Sequence, residues 1–175
     1  AEATGETAHA SLLDATGLTT LAHHEAPPHS ARVVLHEPRL PLHATASGIA
    51  ALAFGGADLM ARALTAMPAY TETTARSPED LAAAVTLARD SGIAMSDQTF
   101  ETGVTGFAAP LFDSSGVAGA VAVAAVSSRV TPELQTIILT ELIKAARTIS
   151  ANWGGTIPPA LAAAWAAPAG PETAP

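Results

Sequence analysis

Thr45 and Ser47 set two hydroxyls on either side of Ala46 within the run LPLHATASGIAALA, residues 40–53. An extended Leu-Pro-Leu-His gives way there to Ala44, Thr45, Ala46, Ser47 and Gly48, where a helix begins. A helix N-terminus leaves several backbone N–H groups unpaired and carries partial positive charge, so this stretch could hold an anion. Small residues also let a helix lie close on a sheet. On residue types alone, packing is the better account.

The other reactive side chains are weaker candidates. Asp97 ends a short strand before an irregular connection to Gly103, where an Asp ordinarily caps the turn. A pocket at the strand end is its alternative role. Glu79 and Asp80 read as charges at a helix start. Six histidines invite a metal, but His23 and His24 are adjacent, which in a strand points them to opposite faces. His9, His29, His36 and His43 are scattered, so surface or capping roles are expected and no metal or cofactor is. His43, Ser47 and Asp97 could be imagined as a hydrolytic set. No G-x-S-x-G elbow supports it, and no G-x-x-x-x-G-K-[ST] loop is present to cradle phosphate.

Composition narrows the classes further. The 175 residues suit one domain with a real core. Eight basic against sixteen acidic residues give a formal charge of −8, which disfavours phosphate-backbone binding by this stretch of chain. Aromatics are 4%, too few for a base-stacking platform, and the absence of cysteine excludes disulfides and thiolate chemistry. No apolar run approaches the roughly 18 residues of a membrane helix.

The elements that must position these groups follow from local signals. Segments 7–15, 18–25 and 30–37 read as strands, the first two joined by a tight Asp14-Ala15-Thr16-Gly17 turn. Helices are expected over 44–54, 58–67 and from Ser77-Pro78 to Asp90, the last with Ser77 as N-cap. Strands follow at 93–96, 103–112 and 116–126. VAGAVAVAAV is apolar on both faces, as a covered central strand should be. A long helix starts at Thr131-Pro132 and carries Leu134, Ile138, Leu142, Ala146, Ile149 and Trp153 at helical spacing. Leu161 and Trp165 suggest one docked turn in an Ala/Pro-rich tail. Grouped strands and helices argue for α+β with an antiparallel sheet.

Taken together, RLPLHATASGIAALA, then GIAMSDQTFETGVTGFAAPLFDSSGVAGAVAVAAVSSR, then a helix ending KAARTIS resemble the effector-binding domain of the IclR family of bacterial transcription factors. The resemblance implies a GAF-like curved antiparallel sheet flanked by helices over 7–155, with 1–6 a linker remnant and 156–175 a partly disordered tail. It implies a cytoplasmic regulator without catalysis, a dimer or tetramer, which touches operator DNA only through a winged helix-turn-helix domain preceding this region. It also implies a small-molecule effector, often a carboxylate or aromatic acid. By motif the pocket would use Leu40, Thr45, Ala46, Ser47, Asp97, Gly106, Ala108, Ala122 and Ala124, which turns Asp97 and the helix start from structural to functional.

The chain departs from the family pattern in three places. Gly48-Ile49-Ala50 stands where Gly-Lys-Ala is usual, and Gln98 and Thr99 thin an acidic pair. Ala122 and Ala124 stand where binders of small polar acids often carry hydroxyls. Lost hydroxyls point to a more apolar ligand such as an aromatic acid, or to an assembly-only domain whose pocket is vestigial.

Overall fold

A computed structural model describes residues 1–15, 17–25, 33 and 39–166. Among them, six strands form one curled antiparallel sheet: β1 (Thr7–Asp14), β2 (Gly17–His24), β3 (Arg39–Leu40), β4 (Ala94–Asp97), β5 (Val104–Asp113) and β6 (Gly116–Val126). Their spatial order is β3-β2-β1-β6-β5-β4. Helices α1 (Ala46–Phe54), α2 (Gly56–Leu64), α3 (Pro78–Ser91), α4 (Pro132–Asn152) and α5 (Pro159–Ala164) complete an α+β domain. The strand expected at 30–37 lies outside the described residues apart from Val33, whose carbonyl accepts from Thr7 Oγ1 at 2.7 Å. The third strand that is described is the short Arg39–Leu40, paired with Thr19 and Leu18.

The helix starts follow from side-chain chemistry within a few residues. Ser77 Oγ accepts from the Asp80 N–H while the Asp80 carboxylate accepts from the Ser77 N–H, a reciprocal capping box. The Ser77 side-chain bond is the first cause holding the Asp80 carboxyl below its ordinary range. Thr131 caps α4 more simply, its hydroxyl accepting from the Leu134 N–H with no return bond from the Leu134 side chain. At the other end of α3, Gly92 adopts φ 75°, the left-handed conformation that closes a helix with a glycine.

Period-two alternation along β5 and β6 feeds two cores. Phe107, Ala109, Leu111, Val121 and Val123 face α4, where Ile138, Leu142 and Ala146 recur at helical spacing. Ala108, Ala120 and Ala122 face α1 and α3, meeting Ile49, Ala50, Leu81 and Val85. Each buried Leu, Ile, Val or Phe contributes about 1.5–3 kcal/mol to holding the layers together. Along β6 this second face is therefore built almost wholly from alanine, and that lets α1 sit close.

The core takes in residues beyond 155. Leu161 and Trp165 are buried against the α4 layer, and Trp165 Nε1 donates to the Gly92 carbonyl at 3.0 Å. The Arg147 guanidinium lies 5.7 Å from the Trp165 ring centroid, a cation–π contact. At the opposite end, Arg129 Nε donates to buried Glu6 at 3.0 Å and Nη2 at 2.6 Å, tying the start of β1 to the turn after β6. No helix among the described residues is long and apolar enough to cross a membrane.

Candidate functional site

The α1 face of the sheet is paved with small residues by strand register. Antiparallel pairing sets Thr7 opposite Ala124 and His9 opposite Ala122. Across β6 it sets Gly106 opposite Ala124 and Ala108 opposite Ala122, and Ser96 continues the row opposite Gly106. α1 covers one end of this pavement. Where α1 starts, the small side chains leave a cavity of about 360 Å³. Ala122, Ala124 and Gly106 form its floor, Thr45, Ala46 and Ser47 one wall, and Leu40 another.

The helix start has been divided between packing and the cavity. Thr45 is the N-cap: its hydroxyl accepts from the Gly48 N–H at 3.1 Å and donates to the Pro41 carbonyl at 2.8 Å. Gly48 is a packing residue, since a Cβ there would collide with the Leu42 backbone. Ala46 and Ser47 border the cavity, and their N–H groups, in the first turn, have no intrahelical acceptor.

A threonine clamp builds the outer wall. Thr71 Oγ1 and Thr73 Oγ1 donate to the Gln98 carbonyl at 2.7 and 2.9 Å, and Thr74 Oγ1 donates to the Thr99 carbonyl at 2.7 Å. These bonds hold Gln98 at φ 55°, a conformation that costs a non-glycine residue about 1–3 kcal/mol. They also bring Tyr70 and Phe100 together edge to face, 4.9 Å between centroids, and both rings border the cavity.

His9 is the one buried titratable group described at this cavity. It is 8% exposed, with Nε2 3.2 Å from Ser47 Oγ and with Nδ1 buried and without a hydrogen-bond partner. Burial, and secondarily the nearby His23, lower its pKa from 6.5 to about 4, so the ring is neutral at pH 7. No Lys or Arg borders the cavity among the described residues; Glu101 stands exposed at its rim.

Seven of the nine residues singled out in the sequence, Leu40, Thr45, Ala46, Ser47, Gly106, Ala122 and Ala124, border this cavity; Asp97 and Ala108 do not. For Asp97 the reason is strand phase. Along β4, Ala94 and Ser96 face in, so Met95 and Asp97 face out, and the Asp97 carboxylate accepts from Thr105 Oγ1 at 3.0 Å instead. Ser96 is the inward residue the sequence reading passed over. Ala108 shares the inward face but lies under the body of α1, fully buried in the alanine layer. His9, Tyr70, Phe100 and Glu101 were also missed. Only His9 had a signal, the alternation Thr7, His9, Ser11 along β1.

The structure does not assemble a hydrolytic set. His43 Nε2 bonds the Pro68 carbonyl, Ser47 bonds His9, and Asp97 bonds Thr105. Nor is Ser47–His9 a nucleophile–base pair. A ring with a pKa of about 4 and no carboxylate on Nδ1 is a poor base at neutral pH. Among the described residues no three His, Asp or Glu side chains gather as a metal site. A wider hollow of about 430 Å³ lies between residues 1–4 and α4, but neither the α1 start nor His9 borders it.

Fold and cavity thus define the class: an α+β domain whose antiparallel sheet is hollowed beside a helix start. The family described as bacterial transcriptional regulator IclR, C-terminal, matches residues 1–151, and the chain belongs to it. A Silicibacter sp. TM1040 protein assigned to the IclR regulators is 35% identical, with a TM-score of 0.85 over 91% of this chain and 64% of that one. The C-terminal domain of the Escherichia coli transcriptional regulator KdgR is 27% identical, with a TM-score of 0.72 over 86% of this chain and 89% of that one. An IclR homologue from Microbacterium hydrocarbonoxydans, solved as a complex with 4-hydroxybenzoate, is 25% identical, with a TM-score of 0.69 over 87% of this chain and 62% of that one. The chain thus spans less than two thirds of the Silicibacter and Microbacterium chains. No curated protein sequence matches it.

Proposed function

We propose that this chain is the effector-binding and assembly domain of a cytoplasmic transcriptional regulator, and that its effector is a small aromatic carboxylic acid held in the cavity at the start of α1. The observation that carries this reading is the pairing of a polar wall with an apolar one. The Ala46 and Ser47 N–H groups and the helix dipole receive the carboxylate. Tyr70, Phe100, Ala122 and Ala124 receive the ring. The 4-hydroxybenzoate in the Microbacterium homologue supports the ligand class. Operator DNA is reached through a winged helix-turn-helix domain preceding this one, and the domain self-associates as a dimer or tetramer. Coupling between effector and DNA is reciprocal, so operator DNA alters effector affinity in the full regulator.

A second reading, an assembly domain with a vestigial cavity, is favoured by Ala122 and Ala124 alone, since neither offers a hydrogen bond. A thermal-shift panel of aliphatic and aromatic acids separates the two. An effector at 100 times its dissociation constant stabilises by about 2.7 kcal/mol, which raises the Tm by roughly 5–10 °C for a domain of this size. No shift from any acid at millimolar concentration would leave the assembly reading standing.

A further inference from the structure

Resting on the effector reading, we propose that His9 makes the cavity select a carboxylate: its Nε2–H donates to Ser47 Oγ, which leaves the Ser47 hydroxyl proton to be donated to the ligand's acid group. His9 is thereby a positioning residue, acting on the ligand through Ser47.

The tautomer follows from hydrogen-bond accounting. A neutral imidazole has one N–H. With the proton on Nδ1, a buried N–H would have no acceptor, and Ser47 would spend its own proton on Nε2. With the proton on Nε2, Nδ1 keeps only a bare lone pair. Orphaned buried N–H groups are the rarer and costlier of the two defects. The Nε2–H form is therefore the stable one, and Ser47 becomes a donor at the point where α1 begins.

Three donors then stand together at the start of α1, the Ser47 hydroxyl and the Ala46 and Ser47 N–H groups. A carboxylate, which only accepts, satisfies all of them. A carboxamide of the same shape turns its NH₂ toward donors. The groups facing His9 are Ser47 from α1, Ala122 from β6 and His23 from β2, with Glu101 at the cavity rim. Selection among the described residues therefore comes from donors rather than a counter-charge.

The test is titration of the chain at pH 7 with benzoate and benzamide, for wild type, His9→Leu, His9→Gln, Ser47→Ala and the His9→Leu/Ser47→Ala double variant. The wild type should prefer benzoate by at least about tenfold, the scale of one hydrogen bond to a charged group. His9→Leu and Ser47→Ala should each remove most of that preference, and together no more than either alone. His9→Gln, whose side-chain amide can donate to Ser47, should restore it. Nitrogen NMR of the ligand-free chain, with His9 assigned by its loss in His9→Gln, should show the Nε2–H tautomer whether or not His9→Leu folds well. An Nδ1–H tautomer, or a benzoate-to-benzamide ratio unchanged in a folded His9→Leu, overturns the proposal. Equal binding of both ligands by the wild type overturns it too and leaves the effector cavity standing. Binding of neither overturns the effector reading itself.

Discussion

Acidification from pH 7 to pH 4 is expected to cost the domain about 3 kcal/mol through His9 alone. The His9 pKa falls from 6.5 to about 4 in the folded state, chiefly because burial disfavours the imidazolium. Well above pH 6.5 neither state is protonated there, and the full stability is present. Between the two values the unfolded chain binds a proton that the folded chain refuses. Stability then falls with pH by about 1.4 kcal/mol per unit and levels off below the folded value. Urea unfolding of wild type and His9→Gln at pH 7 and pH 4 isolates this contribution from that of the carboxylates. The wild type should lose about 3 kcal/mol more than the variant over that interval. Equal losses would mean that the ring is hydrated, so that water reaches Nδ1 and an Nδ1–H would no longer lack an acceptor.

The second large effect is steric. Ala124 sits on the cavity floor, 6% exposed, with its side chain toward the space and its backbone paired to Thr7 and Gly106. In Ala124→Phe the ring occupies the volume that the ligand needs while the strand pairing is untouched. Affinity for an aromatic acid should fall at least about 100-fold, equivalent to roughly 2.7 kcal/mol. The Tm of the ligand-free protein should stay within a few degrees, because the new ring fills space rather than displacing neighbours. Asp97→Ala is the matched control. Its carboxylate is on the outward face, so affinity should change less than about twofold; a larger loss would put that face in the binding site.

The sequence disclosed the fold where the determining chemistry is local. Ser77-Pro78 and Thr131-Pro132 announce helices because an N-cap hydroxyl and the backbone N–H it accepts from lie three residues apart. The doubly apolar run in β6 announces a covered strand for a similar reason. The site was legible only in part, and chiefly through family resemblance. β1 reverses the usual pattern: Thr7, His9 and Ser11 face the core side while Ala8, Ala10 and Leu12 face away, and Leu12 is 40% exposed. Polar alternation reads as a solvated face, so His9 passed for a surface residue.

Asp97 shows the sensitivity of strand phase. Ending the strand at Ser96 leaves the next side chain free to line a pocket; continuing it by one residue turns that side chain to the other face. Tyr70 lay beyond reach for a different reason. It is positioned by bonds from Thr71, Thr73 and Thr74 to carbonyls some 25 residues away, and no periodicity records such a contact. The docked turn expected from Leu161 and Trp165 is the helix Pro159–Ala164, and what the sequence does not record is its anchors, Gly92 and Arg147, which lie elsewhere in the chain.

The most direct test of the central claim is where an aromatic acid touches the chain. With alanine methyls labelled and assigned, intermolecular NOEs from benzoate ring protons would be recorded by solution NMR. NOEs to Ala46, Ala122 and Ala124 are expected, and their loss in Ala124→Phe. NOEs to Ala3 or Ala145 instead would place the ligand in the hollow against α4 and contradict it.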